Sequence, residues 1–256
     1  MKSRKTTRES SWALGFTLLE LLVVVALVAL IIALLLPAVS AMRNLSLRTQ
    51  TLSAMRQLVQ AVSLYSFDFD GSFPYYGVPG DPAAPLTFNG SRRPTSIPLH
   101  LVHHSEYWAS GVRPYLSGAP QTSMGPAVRP LAEEIDGLYF SPFRMSMTCF
   151  TDAEFWQDSQ RGFRTIQIVG NKQQRIRWPA RKVVLSAPDL HAAQASERSV
   201  KELETWFAAM ADGSVTHTQW LGPDRNVIPS FIPSVVTYPY WFGSATTDGI
   251  DGVDIR

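Results

Sequence analysis

The chain has 256 residues and an apolar content of 45%, which suits one large domain or two modest ones and excludes a mainly disordered protein. Its formal net charge is +2, but the first fifteen residues hold four basic side chains against one acidic one, so the remainder is close to −1. A nearly neutral body lacks the broad cationic field that nucleic-acid binding requires, and a single cysteine, Cys149, excludes an internal disulfide framework and multi-cysteine metal sites.

A long apolar segment follows the basic head. Between Phe16 and Leu36 there are 21 residues, of which only Thr17 and Glu20 are polar. At about 1.5 Å per residue, a helix of this length spans roughly 31 Å, which is the thickness of a bilayer's hydrocarbon core. The segment therefore predicts a single membrane-spanning helix, with the basic head on the cytoplasmic side and the body of the protein across the membrane.

Glu20 is the one ionisable residue inside this segment. A carboxylate at the centre of a bilayer costs on the order of 2.5–3.5 kcal/mol on insertion scales, so a compensating cation is expected. Cleavage between Gly15 and Phe16 creates an α-amino group four residues before Glu20, and a carboxylate in a first helical turn is also favoured by the helix dipole. Spacing leaves open whether this pair forms within one chain or between neighbours.

The residues from Gly15 onward, read as Gly-Phe-Thr-Leu-Leu-Glu and an apolar helix, resemble the cleavage signal of type IV pilins and type II secretion pseudopilins. The resemblance covers the first fifty to seventy residues. It implies that a prepilin peptidase cuts after Gly15 and N-methylates Phe16, and that Glu20 neutralises the amine of an adjacent subunit in a filament. It further implies homologous pilin-like subunits and an inner-membrane assembly platform as partners, and a head that lies in the bacterial periplasm.

Two other interpretations of the N-terminus remain open. An ordinary secretory signal peptide has the same basic start, and cleavage after Ala41 would suit it, although its apolar core is usually shorter. A plain single-pass anchor with an incidental glutamate is the other. Both alternatives predict an exported or membrane-anchored periplasmic binding protein or enzyme, whereas the pilin-like interpretation predicts a structural protein without catalytic activity.

The helical pattern continues beyond the apolar segment and changes character. Pro37 is expected to kink the helix, with two separate helices as the alternative. The second half is one-sided, because apolar residues recur at three, four and seven positions at Leu45, Leu52, Met55, Val59 and Val62. We predict a leader at 1–15 and a helix over 16–66, of which 16–36 spans the membrane.

The rest of the chain predicts an α+β head. Ten of the eighteen prolines lie between 71 and 130, so 67–160 is expected to be rich in loops, with a short strand at 138–140. Within 161–256, an antiparallel sheet is expected to pack on the one-sided part of the helix. Its strands are predicted at 165–169, 175–178 and 182–186, and as a hairpin at 206–217 with a type I′ turn at Asp212-Gly213.

Candidate metal ligands are few. Asp248, Asp251 and Asp254 form a glycine-separated acidic repeat that suits calcium, and the resemblance to pseudopilins points the same way. Asp68 and Asp70 open a similar loop, although a turn that caps the helix explains them equally well. A set of three histidines and Glu106 suits zinc only if the loops that carry it are ordered: His100, His103 and His104. No sequence frame places a nucleophile beside a base.

Overall fold

The protein consists of two units, residues 1–45 and the head, residues 46–256. The computed structural model describes residues 17–78, 81, 86–88, 91–93, 104–116, 133–135, 138–141, 143–153, 169–189, 205–219 and 249–254. The leader, nearly half of 67–160, the strand expected at 165–169 except its last residue, and residues 220–248 lie outside this part of the chain.

One α-helix, α1, runs from Leu18 to Asp68 and passes through Pro37. The alternative of two helices broken at this proline is therefore wrong, while the kink stays a prediction. Up to Leu45 the side chains of this helix are exposed in every direction. In the head, one stripe of the helix is buried: Thr51, Ala54, Met55, Leu58, Val59, Ala61, Val62 and Ser66. Leu45, which we expected to start that stripe, is 65% exposed.

A turn after Asp68 ends the helix. The amide of Gly71 donates to the carbonyl of Ser66 at 2.6 Å, and both Asp70 and Gly71 adopt a positive φ, of 51° and 77°. This six-to-one bond with a left-handed residue inside it is a Schellman-type helix end. The Asp68 carboxylate accepts a hydrogen bond from the hydroxyl of Tyr115. Asp68 and Asp70 thus lie in the turn that ends the helix, which is the alternative to a calcium loop given above.

Strand content is modest, as expected for an α+β head. Two short antiparallel hairpins pair β1 (Leu86–Phe88) with β2 (Ser91–Arg93) and β3 (Glu133–Ile135) with β4 (Leu138–Phe140). The main sheet is antiparallel, with strand order β5-β6-β7-β8. Its strands are β5 (Arg144–Met145), β6 (Val183–Pro188), β7 (Thr205–Met210) and β8 (Val215–Gln219). A second helix, α2 (Ala109–Val112), precedes β3 in the chain.

The β7–β8 hairpin confirms the predicted strands and corrects the predicted turn. Of its three loop residues, 211–213, only Gly213 has a positive φ, 85°, whereas a type I′ turn needs two such residues. The amide of Gly213 donates to Met210, and that of Met210 donates to Ser214. This is a type I turn followed by a glycine bulge, which needs left-handed backbone at one position and not at two.

The strand predicted at 175–178 is wrong. In its place are a 3-10 turn at Gln173–Arg175 and a second one at Pro179–Arg181. The amide of Gln173 donates to the carbonyl of Gly71 at 2.8 Å, so the segment is held by the helix end. Pro179 supplies no amide hydrogen, which disfavours a strand continuing through it. The local alternation in the sequence was therefore overridden by a long-range contact.

A single large core joins the helix to the sheet. The buried stripe of α1 packs with side chains of β6 and β7, including Leu185 and Phe207, and with the indole ring of Trp108. On the opposite face of β6 and β7, a smaller group of apolar side chains is also buried: Val183, Trp206, Ala208 and Met210. All six residues of β6 are buried, so this strand is covered on both faces, and it confirms the strand predicted at 182–186.

Candidate functional site

The N-terminal turn of α1 holds the Glu20 side chain in a capping box. Thr17 is the N-cap residue, and its hydroxyl oxygen accepts a hydrogen bond from the amide of Glu20 at 3.2 Å. In return, the Glu20 Oε2 atom accepts from the amide of Thr17 at 2.9 Å and from its hydroxyl at 2.8 Å. Two of the amides that a helix leaves without partners at its start are satisfied in this way.

The capping box satisfies hydrogen bonds without neutralising charge. Thr17 contributes dipoles and no cation, so the Glu20 carboxylate keeps its negative charge in an otherwise apolar helix. Its described hydrogen bonds all use Oε2, and no described residue supplies a cation to either oxygen. Thr17 is not among the functional residues predicted from the sequence, although the spacing Thr-x-x-Glu is the known signal of a capping box.

The residues expected to be processed, Gly15 and Phe16, lie outside the described part of the chain, as does the basic leader. Prepilin-type cleavage there stays a prediction. Further along, Pro37 lies inside α1, and its carbonyl accepts a hydrogen bond from the hydroxyl of Ser40 at 2.9 Å.

The helix that carries Glu20 is long and apolar enough to cross a membrane, and none of its most apolar stretch is buried. Every large apolar side chain from Leu18 to Leu36 is about half exposed or more. An exposed apolar surface of this extent is not stable in water. Length and composition alone also fit a signal sequence close to an N-terminus.

The acidic repeat near the C-terminus is engaged by basic side chains of the head. Asp254 is 2% exposed and lies 3.4 Å from the ammonium of Lys182, which is fully buried, and it also accepts a hydrogen bond from the amide of Val183 at 2.7 Å. Asp251 lies 3.8 Å from Arg175, and Asp248 is outside the described residues. No cluster of three metal-ligating side chains occurs in the described ranges. Calcium binding there stays a prediction.

Histidine 104 belongs to the core and not to a loop. It is fully buried, accepts a hydrogen bond from the amide of Tyr76 at 3.1 Å and stacks on the ring of Tyr75 at 4.5 Å. Glu106 forms a buried ion pair with Arg144. His100 and His103 lie outside the described residues, so a zinc site that includes them stays a prediction.

One polar cluster in the head was not foreseen. The fully buried carboxylate of Asp189 accepts a hydrogen bond from the Nε atom of Arg48 on α1, at 2.9 Å. It also lies 2.8 Å from the Nε2 atom of His217 on β8, whose ring packs on Phe207. One carboxylate thus ties the helix, the end of β6 and β8 together. Arg48 and Asp189 are 141 positions apart in the sequence, so no local pattern could have indicated the pair.

Cys149 is fully buried in the main core, and burial raises the pKa of its thiol far above the ordinary value. A thiol in this state is a poor nucleophile, and Cys149 acts as a small residue of the core.

Comparison with known proteins adds no relationship. The chain matches no protein-family model, no curated protein and no solved structure. Two features are established at this point: an exposed apolar N-terminal helix of membrane-spanning length, and an α+β head with a four-stranded antiparallel sheet.

Proposed function

We propose that the protein is a prepilin-like subunit that assembles into a helical filament of a type II secretion system or a type IV pilus-like machine. In this proposal a prepilin peptidase removes residues 1–15 and N-methylates Phe16. The apolar helix first anchors the subunit in the bacterial inner membrane, with the head in the periplasm. It then packs among the helices of neighbouring subunits, with help from an inner-membrane assembly platform.

The single observation that carries this proposal is the state of Glu20. Its carboxylate is hydrogen-bonded by Thr17, yet its charge is not balanced by any described residue, at the start of a stretch, 21–36, whose side chains are all apolar and exposed. A buried charge that loses its partner is costly, whereas a paired one is tolerated. The cleaved N-terminus of a neighbour supplies a cation at a matching depth, so the same pair favours assembly and sets its register.

The head then determines what the filament does. In the proposed assembly the head faces away from the helical core of the filament. A secretion role is favoured slightly over a pilus because the sequence has no cysteine pair to fasten a large exposed head.

Mass spectrometry of the mature protein provides the first test. We expect an N-terminus at Phe16 that carries one methyl group when a prepilin peptidase is present, and the uncleaved chain when it is absent. An N-terminus at Met42 contradicts the proposal and supports the alternative of an ordinary export signal. Replacing Gly15 with a bulky residue should block the cleavage.

Substitutions in the capping box separate the role of the charge from that of the cap. Glu20→Gln keeps an oxygen that can accept from the amide of Thr17 but removes the negative charge. Thr17→Ala removes the capping hydroxyl and keeps the charge, at a cost of about 1 kcal/mol to the helix end. If charge pairing drives assembly, Glu20→Gln is cleaved normally and fails to enter filaments, while Thr17→Ala assembles. The opposite pattern assigns Glu20 a purely local capping role.

A further inference from the structure

The solvent-facing side of α1 changes from polar to apolar near the C-terminal end of the helix. Opposite the buried stripe, the side chains of Ser53, Gln57 and Gln60 form a polar, exposed row. The same row continues with Leu64 and Phe67, which are 54% and 86% exposed. Residues three and four positions apart lie on one face of a helix, and the outer face of an amphipathic helix is ordinarily polar. Packing within the head therefore does not account for this apolar end of the row.

Phe67 is the most exposed large apolar side chain of the described residues. The ring of nearby Phe69 is stacked on Tyr65, with centroids 4.2 Å apart, whereas Phe67 contacts no ring in the described part of the chain. Asp68, four positions after Leu64, lies on the same face of the helix. Its carboxylate accepts a hydrogen bond from the hydroxyl of Tyr115 at 2.6 Å, and no basic side chain of the described ranges pairs with it. We call the following set the helix-end face: Leu64, Phe67 and Asp68.

A second exposed face of the head carries the opposite charge. Arg177 and Arg181 are exposed, and neither forms an ion pair with an acidic side chain of the described residues. Trp178 is 47% exposed, and the guanidinium of Arg177 lies over its ring, 5.6 Å from the ring centroid. The amide of Arg181 donates to the carbonyl of Trp178 at 2.9 Å, and side chains three positions apart lie on the same side of a 3-10 turn. We call Arg177, Trp178 and Arg181 the basic-aromatic face.

The two faces are complementary. The helix-end face places one acidic group beside two apolar side chains, and the basic-aromatic face places two basic groups around one aromatic ring. Each charge lacks an opposite charge within its own copy, so contact between the faces pairs charges and removes apolar surface from water. Arginine and tryptophan are also enriched at the energetic centres of protein–protein interfaces. Two arginines do not form the broad basic surface that a nucleic acid requires.

We propose that the helix-end face of one copy binds the basic-aromatic face of a second copy. In this contact Trp178 packs on Leu64 and Phe67, and an arginine of the same face pairs with Asp68. A contact between unlike surfaces can repeat from copy to copy, whereas a contact between identical surfaces closes into a dimer. The inference goes beyond the proposed function, because it concerns the heads and does not depend on how the apolar helices pack.

Disulfide trapping between two full-length copies in detergent micelles tests the contact. One copy carries Leu64→Cys and the other, with a different tag, carries Arg181→Cys, while the native Cys149 is buried and does not compete. In the control pair Gln57→Cys replaces Leu64→Cys, since Gln57 is exposed on the same row about 10.5 Å nearer the start of the helix. A disulfide requires Cα atoms within about 7 Å of each other. We expect a mixed disulfide at least about tenfold above that of the control pair.

Further substitutions in the trapping pair identify the side chains that form the contact. Phe67→Ser should reduce the mixed disulfide to the control level, whereas Phe69→Ser, which removes a ring already stacked on Tyr65, should leave it unchanged. Asp68→Lys in one copy or Arg177→Glu in the other should each lower the yield at least about threefold, and the two together should restore it. Near-UV circular dichroism of each variant checks that the head is folded.

The outcomes separate this inference from the proposed function. A mixed disulfide at the control level overturns the contact, and so does a yield that Phe67→Ser leaves unchanged. An environment-sensitive fluorophore on Leu64→Cys that reports apolar surroundings while no mixed disulfide forms assigns the helix-end face to detergent or lipid and also overturns the inference. Absence of filaments from correctly processed wild type overturns the proposed function and leaves the contact to be decided by trapping, which requires no filament.

Discussion

The two halves of helix α1 differ in what surrounds them, although they share one continuous backbone. Residues 18–45 expose leucine, valine and isoleucine in every direction, whereas the half in the head buries one stripe and exposes polar side chains such as Arg56 and Gln57. Acidic side chains follow the same division. Among the described residues, Glu20 in the first half is bound only by its capping partner Thr17, while Asp189, which contacts the second half, is matched by Arg48.

This difference teaches that one helix is adapted to two solvents. The second half obtains its stability from the folded head, because its apolar stripe is removed from water by the sheet. No described side chain of residues 18–45 is buried, and the length and apolar composition of this half suit a membrane span. Substitutions in the two halves are therefore expected to affect different measurements: unfolding of the head in one case, insertion and assembly in the other.

The largest expected difference comes from leucine truncation in each half. Leu58 is fully buried in the head core, and Leu58→Ala should lower the free energy of unfolding of the head by about 2–5 kcal/mol. Leu30 is 58% exposed, and Leu30→Ala should leave the head unchanged within about 0.5 kcal/mol. Urea unfolding in detergent micelles, followed by near-UV circular dichroism, measures both. Equal losses would show that the two halves belong to one cooperative unit.

A smaller difference is expected from arginine substitution. Arg48→Met leaves the buried Asp189 carboxylate without its guanidinium and should destabilise the head by about 1–3 kcal/mol. Arg43→Met, five positions earlier on the same helix, removes an exposed arginine that pairs with no described acid and should change stability by less than about 0.5 kcal/mol. The same urea titration measures both variants. A loss on Arg43→Met as large as that on Arg48→Met would remove the distinction between the halves.

Local patterns predicted the local elements of this fold. The apolar run and the one-sided stripe after it predicted the long helix, the run Val183-Val184-Leu185 predicted β6, and the Asp212-Gly213 turn predicted the β7–β8 hairpin. The capping box at Thr17 was equally available, because its spacing is local, and it was overlooked. These features depend on residues a few positions apart, and for that reason the sequence specifies them without knowledge of the tertiary fold.

Contacts between distant residues could not be predicted in the same way. The buried side-chain amide of Asn171 donates to the carbonyl oxygens of Thr148 and Thr151. Ile250 is fully buried in the main core, and Asp254 pairs with buried Lys182. The hydrogen bonds of Asn171 and the ion pair of Asp254 join residues at least twenty positions apart, which no periodicity in the sequence encodes.

The smallest expected effect concerns the C-terminal end of α1, just after Asp68. The carboxylate of Asp70 is exposed and pairs with the ammonium of Lys172, whose hydrogen bond and positive charge hold the pKa of Asp70 below its ordinary value of 3.8. Since the folded state lowers this pKa, the pair contributes stability above about pH 4, and the contribution is lost as pH falls through the folded pKa. Asp70→Asn isolates the charge, because asparagine also tolerates the positive φ of 51°. We expect a small loss of stability at neutral pH that shrinks below pH 4, measured by thermal unfolding at a series of pH values.

A second series in the Lys172→Met background provides the control. Once Lys172 is absent, Asp70→Asn should change stability by the same amount at every pH. A pH dependence that persists would assign the low pKa of Asp70 to a different partner.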